Sequence, residues 1–314
     1  MYYLGVDIGG TKIAVSLADE NCRILETVTH STPATPDFSG ELGLVTKSAD
    51  ILLRARGESR FALLAVGVSC PGPLDLSSGK ILHVATTGWR DIPVKRLFHE
   101  TFGVPVVLEN DANAACYAEA LCGAGKGYET VVYLTVSTGI GGGVCIEKKL
   151  MHGAHGFAAE FGHISVVPDG PPCPCGGRGC VQLYASGTAM AYRAREATRE
   201  IASMLGGYTD ITAREIEAGV RAGDPLSISI WNDAIEKLGI LIAMLSQALD
   251  PDIFVFGGGV SNAWDLMEPI LRTEAAHYCC SDIFTYLNLQ KAQLGGMIGT
   301  TGAVLLAHRL IQKI

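Results

Sequence analysis

No stretch of this 314-residue sequence stays apolar long enough to span a bilayer. The longest candidate, Leu238 to Leu245, falls far short of the roughly 20 residues needed, and Lys237 and Ser246 flank it, so it reads as a buried helix. The N-terminus, MYYLGVDIGG, lacks both a basic segment and a small-residue cleavage site, which argues against export and makes the cytoplasm the expected compartment. Charge is sparse at 18% and short of cations: 24 Lys and Arg against 32 Asp and Glu leave −8, the wrong sign for general nucleic-acid binding. The P-loop pattern G-x-x-x-x-G-K-[ST] does not occur, and Gly5 to Gly10 lacks the G-x-G-x-x-G spacing of dinucleotide sites. Low-complexity linkers are missing too.

What is present is 48% hydrophobic residues and 38 glycines, the composition of a globular enzyme with many tight turns and enough chain for two domains. Tyr2 to Ile8 reads as a strand, Gly9-Gly10-Thr11 as a turn and Ile13 to Ala18 as a returning strand. Strands at 23–29, 62–68 and 104–108 then alternate with helices at 41–56, 94–102 and 112–121, the last capped by Asp111. The opening pattern returns as strand Thr130 to Val136, glycine loop Ser137 to Gly143 and strand Val144 to Glu147. This repeat predicts two related α/β lobes with a cleft between them. The first lobe is expected over 1–119 with a C-terminal helix, about 302–314, crossing back to it; the second spans 120–301 and carries a Cys-rich loop over 163–180.

Asp7 ends the first strand just before Gly9-Gly10-Thr11-Lys12, where backbone N–H groups can approach phosphate oxygens and a carboxylate can hold a hydrated magnesium ion. Alone, this pattern is equally an ordinary hairpin turn. A second nest lies at Ser137–Gly143, with the Thr138 hydroxyl and Gly139, and Gly257-Gly258-Gly259 ends a third strand where a ribose or flat ring can pack close to backbone. Three glycine turns after three strands favour a nucleotide site over three unrelated turns. Asp111, after the 104–108 strand, lies where ligand crevices of open sheets form, and is a candidate general base for a hydroxyl as well as a helix cap.

His163, Cys173, Cys175 and Cys180 give H-x9-C-x-C-x4-C, with glycines at 176, 177 and 179 that let the backbone aim the donors at one point. Three thiolates and an imidazole form a closed tetrahedral shell, the donor set of structural zinc. With no open position, such a metal locks a loop rather than activating water. Cys22, Cys70, Cys116, Cys122, Cys145, Cys279 and Cys280 lack such grouping and are expected to behave as small hydrophobes.

Taken in order, DIGGTK (7–12), END (109–111), STGIGGG (137–143), AEFGH (159–163), CPCGGRGC (173–180), GGGVS (257–261) and GTTGA (299–303) resemble the ROK family of sugar kinases and repressors, within the actin, Hsp70 and hexokinase superfamily. The resemblance covers nearly the whole chain. It implies a two-lobed actin-like ATPase (ribonuclease H-like) α/β fold with an interlobe cleft and a zinc-held loop. It further implies Mg2+-ATP with Asp7, Gly9, Gly10, Thr11, Lys12, Thr138 and Gly139 facing phosphates, and Gly257, Gly258 and Gly259 near adenosine. Asn110 and Asp111 would bind hydroxyls of a hexose, Asp111 accepting the proton of the 6-hydroxyl, while Glu160 and His163 bind nearer the anomeric end. His163 would also ligate Zn2+ through its other nitrogen.

Two positions depart from the family pattern. Gln182 stands where a sugar-contacting Glu is usual, and Thr86-Thr87 stand where Asn-Leu is frequent. Glucose is the first expected substrate, with mannose, fructose, allose or an N-acetylated hexosamine as alternatives and a catalytically silent sugar sensor as a further one. Repressor members carry a helix-turn-helix segment ahead of this motif, and only six residues precede Asp7, so an enzyme is expected. The resemblance also implies a homodimer.

Overall fold

Tyr2–Ile8 (β1) is buried on both faces, because it becomes the central strand of a five-stranded sheet. The computed structural model describes residues 1–84 and 87–313. β1 turns through Gly9 into the antiparallel β2 (Lys12–Asp19), which pairs in turn with β3 (Ile24–Ser31). β3 is half exposed along its length, as an edge strand is. Helix α1 (Ser39–Arg54) buries Val45, Ala49 and Leu52 at helical spacing and leads to β4 (Leu63–Cys70), parallel to β1. A small antiparallel sheet follows, made of β5 (Leu74–Asp75), β6 (Lys80–Val84) and β7 (Trp89–Ile92). The chain then forms α2 (Val94–Phe102) and β8 (Val106–Asn110), parallel to β4, and α3 (Asp111–Cys122). The sheet order is β3-β2-β1-β4-β8.

The second sheet repeats the plan. β9 (Thr130–Val136) pairs antiparallel with β10 (Ile140–Ile146), as β1 does with β2. The two-residue β11 (Lys149–Leu150) follows, then short α4 (Gln182–Ala185), α5 (Gly187–Ala197), α6 (Ala213–Arg221) and the 25-residue α7 (Pro225–Leu249). α7 starts with Pro225 at its first position behind Asp224, which accepts from the Ser227 N–H, and buries Ile230, Trp231, Leu238, Leu241 and Ile242. β12 (Ile253–Gly257) joins β9 in parallel; α8 (Trp264–Tyr278) and α9 (Ser281–Phe284) lead to β13 (Leu289–Lys291) on its other side. The final helix is α10 (Ile298–Gln312).

The chain divides into two compact units, residues 1–123 with 148–158 and 294–314, and residues 124–147 with 159–293. Residues 120–123, 148–158 and 294–301, expected in the second lobe, thus fall with the first unit. The reason is visible in α10: it lies backbone to backbone on the first sheet, and a β-carbon at Gly67 of β4 would collide with the Ala303 carbonyl. Val304 and Ala307 of α10 close a small cluster with Tyr3, Ala18 and Ala65. A larger core lies around Leu4, Val6, Val15, Leu52, Val66 and Phe98. Among the described residues no helix is long and apolar enough to cross a membrane.

Candidate functional site

In the first unit, β1, β4 and β8 end side by side, and their last residues assemble a polar cluster. Asp7 is the penultimate residue of β1, Ser69 is its register partner on β4, and Glu109 is the partner of Ser69 on β8. The Ser69 hydroxyl donates to Asp7 Oδ1 at 3.0 Å. Burial and the neighbouring Asp111 charge raise the Asp7 pKa from 3.8 to about 6, against the lowering influence of Ser69 and Lys12. Two carboxylates that repel one another in a desolvated corner are a setting a divalent cation would relieve, so the residues present fit a magnesium ion at Asp7.

Asp111 is the first residue of α3, and the cap is Asn110 rather than Asp111: its Oδ1 accepts from the N–H groups of Ala112 (2.9 Å) and Asn113 (3.3 Å). The expected strand 104–108 in fact runs to Asn110, which places the cap one residue earlier. Freed from capping, the Asp111 carboxylate accepts one N–H, from Ala112, and remains exposed to solvent. Enough protein still surrounds it for desolvation to raise its pKa, with that N–H bond opposing. Solvent exposure governs whether a hydroxyl can reach it, and the surrounding protein governs its proton affinity; the two descriptions concern different properties. Gly9 is half-buried at the β1–β2 turn and Gly10, Thr11 and Lys12 are exposed there.

In the second unit the glycine loop is shorter than expected. Only Ser137, Thr138 and Gly139 form the turn, while Gly141–Gly143 lie within β10 and pair with β9. Gly142 is small for another reason: a β-carbon there would strike the Phe161 ring, so the strand lets Phe161 seat the 160–163 turn. Thr138 and Gly139 are exposed, as are Gly258 and Gly259, whereas Gly257 is interior to β12 beneath Tyr133. Thr138 and Gly259 line a cavity of about 330 Å³ together with Gly187, Arg195, Asp210 and Arg214. The Gly187 N–H donates to the Ser137 carbonyl at 2.7 Å, pinning the start of α5 to the turn. The last three cavity residues, and Ser69, were not anticipated. The T-x-x-E pattern of Thr212 and Glu215, which forms a capping box at the start of α6, was a readable signal for the cavity wall.

The four predicted metal ligands do converge, with donor atoms within 4.8 Å of one another. Cys175 Sγ and Cys180 Sγ are 3.7 Å apart, and Cys173 Sγ and His163 Nδ1 3.8 Å apart. A tetrahedral zinc with bonds of about 2.0–2.3 Å needs ligand separations of about 3.5–3.8 Å. The donor set and spacing therefore fit zinc, with His163 turning Nδ1 to the cluster. The loop backbone supports this, as Cys173 N–H bonds to the Gly177 carbonyl at 2.8 Å and Cys180 Sγ lies 3.3 Å from the His163 carbonyl. Burial raises the Cys173 thiol pKa, yet hydrogen bonds involving Cys175, Gln182 and His163 bring it down to about 6. Gln182 Nε2 lies 3.6 Å from Cys173 Sγ and 3.4 Å from His163 Nδ1. Glu160 is exposed, and its carbonyl accepts from the His163 N–H at 3.0 Å.

Of the remaining cysteines, Cys70, Cys116 and Cys145 are buried as expected, but Cys122 and Cys280 are exposed and are not core residues. Thr87 is buried, and its hydroxyl has no partner among the described residues; Thr86 lies outside them.

A family model described as ROK family matches residues 3–310. A glucokinase of Streptomyces coelicolor is 37% identical over 314 residues, covering 97% of each chain. The crystal structure of a ROK hexokinase from Thermus thermophilus superimposes with a TM-score of 0.85 at 34% identity over both full lengths. A ROK glucokinase from Streptomyces griseus, in complex with glucose and AMPPNP, does so with a TM-score of 0.81 at 37% identity, covering 98% of this chain and 100% of that one.

Proposed function

Because the chain belongs to the ROK family, we propose that it transfers the γ-phosphoryl group of ATP to a hexose, with glucose as the first substrate and the 6-hydroxyl as acceptor. The observation that carries the reading is the Asp111 carboxylate: reachable from solvent, raised in proton affinity and relieved of capping by Asn110. A base that must take a hydroxyl proton as phosphoryl transfer proceeds works best with a raised proton affinity and without the capping role, which Asn110 takes here. Asn110 and Asp111 orient the acceptor hydroxyl, with Glu160 and His163 binding hydroxyls nearer the anomeric carbon.

Asp7 is the residue that would hold magnesium, whose role when bound is to neutralise charge on the transferring phosphate. The N–H groups of the Gly9–Lys12 and Ser137–Gly139 turns supply further stabilisation of phosphate charge. The cavity bordered by Thr138, Arg195 and Gly259 has the size and lining for the nucleoside end of the donor, where the resemblance puts adenosine. His163, Cys173, Cys175 and Cys180 would hold zinc, and with Nδ1 turned to that site the His163 ring would leave Nε2 for the sugar. Thiolate zinc ligands suit a reducing compartment, the cytoplasm, and a homodimer completes this reading.

The deciding experiment is ADP release, in the presence of magnesium, with glucose, mannose, fructose, allose and N-acetylated hexosamines. Turnover with glucose above the others is expected. Sugar binding without ADP release from any of them would select a sensor instead.

A further inference from the structure

Directly behind the proposed sugar-binding residues lies a buried polar network that the mechanism above does not use. Glu109 is only 3% exposed, and both of its carboxylate oxygens have polar partners. Its Oε1 accepts from the backbone N–H of Asn110 at 3.0 Å and from the Asn113 amide at 3.0 Å. Its Oε2 lies 2.7 Å from Nε2 of His152, on the 148–158 segment that belongs to the same unit. Asn113 gives its NH2 to Glu109 while its own Oδ1 stays buried without a partner among the described residues. A fold that leaves one buried acceptor unmatched to serve another places weight on holding Glu109.

The geometry of Asn110 explains what is being held. Its main-chain N–H is anchored by Glu109, and its side chain caps α3. Asn110 is therefore clamped at both ends, and Asp111 follows it by one peptide. We propose that Glu109 and His152 are a positioning pair that sets Asn110, and through it the Asp111 carboxylate, for the hexose; this rests on the sugar-kinase reading.

A buried carboxylate needs a compensating charge, and the groups acting on His152 are Glu109 of β8, which favours the imidazolium, and Arg309 and Lys313 at the end of α10, which oppose it. The hydrogen bond to Glu109 is the largest influence, and it raises the His152 pKa above its ordinary value. The charged pair is thus favoured by the fold and is lost as pH rises through the raised value.

The test uses His152→Gln, which keeps a donor without charge, and His152→Arg, which keeps the charge at all pH. His152→Gln is expected to raise the KM for the accepted hexose about tenfold, the loss of one hydrogen bond to a charged group, and to lower kcat as well because Asp111 moves with Asn110, with the KM for ATP within about twofold. The wild-type hexose KM should rise on the alkaline side, and His152→Arg should restore KM and flatten that rise. In parallel, the 15N-labelled Asn110 amide should titrate in step with the His152 ring, and the step should vanish in His152→Arg. An Asn110 amide indifferent to His152 ionisation, or an unchanged hexose KM in His152→Gln, overturns the proposal. If His152→Gln does not fold, the wild-type titration and His152→Arg decide. Absence of ADP release with every hexose would count against the kinase reading, while the amide titration still judges the pair.

Discussion

At the scale of single residues, the two aspartates of the first unit differ in what their surroundings do. Asp111 is reachable and is the proposed base, so Asp111→Asn should lower kcat by about 10²–10⁴-fold, the usual worth of a positioned base, with hexose KM and zinc content little changed. Steady-state kinetics beside elemental analysis checks this; retained kcat would remove Asp111 from the chemistry. Asp7 carries a stability cost instead. Its pKa is about 6 in the folded protein against 3.8 for an ordinary aspartate carboxyl, so between these values the native state holds more proton than the unfolded one. Stability contributed by the neutral form is therefore lost as pH rises through this window. Asp7→Asn should stabilise the metal-free protein at pH 7 by about 1–3 kcal/mol, and hardly at all at pH 3, while abolishing turnover. Denaturant titration at the two pH values measures it.

Among elements, the zinc loop and strand β10 act together on the 160–163 turn. Phe161 packs where Gly142 has no side chain, and His163 faces the cluster on the other side. Gly142→Ala should displace Phe161 and cost about 1–3 kcal/mol by overpacking, with a raised hexose KM because Glu160 and His163 move with it. Cys175→Ser should lower zinc affinity by at least about tenfold, read by elemental analysis after dialysis against a chelator, and should raise hexose KM more than KM for ATP. The second expectation separates a loop that orients sugar ligands from a metal that only adds stability. These elements also show what a sequence pattern conveys. β1, β9 and α2 have the boundaries expected, because periodic burial marks them. The run of glycines after Ser137 misled, since Gly141–Gly143 pair within β10 and Gly142 is small to admit the Phe161 ring, and no local pattern distinguishes that from a turn.

For the whole molecule, the chain passes between its two units four times, near residues 123, 147, 158 and 293, and the C-terminal helix completes the unit that the N-terminus begins. A unit built from three separated segments has no independent chain of its own, so its stability responds to ligands through the entire fold. Glucose at about 100 times its Kd should add about 2.7 kcal/mol and raise Tm by about 5 °C, as a scanning fluorescence or calorimetric measurement would show. A Tm insensitive to glucose but raised by another hexose would reassign the substrate.

The amino-acid sequence on its own determined the alternation of strands and helices, the repeated hairpin, and which four residues meet at the candidate metal site, because each depends on short-range spacing and on donor chemistry that few residues share. It also carried Asp7 and Asp111 as the charged residues to watch. Tertiary structure alone decided that Asn110 and not Asp111 caps α3, that Asp7 and Ser69 meet across two strands, and that His152 reaches Glu109 from 43 positions away. Those outcomes depend on register and on which buried charge finds a partner, and both are settled only when distant segments pack together.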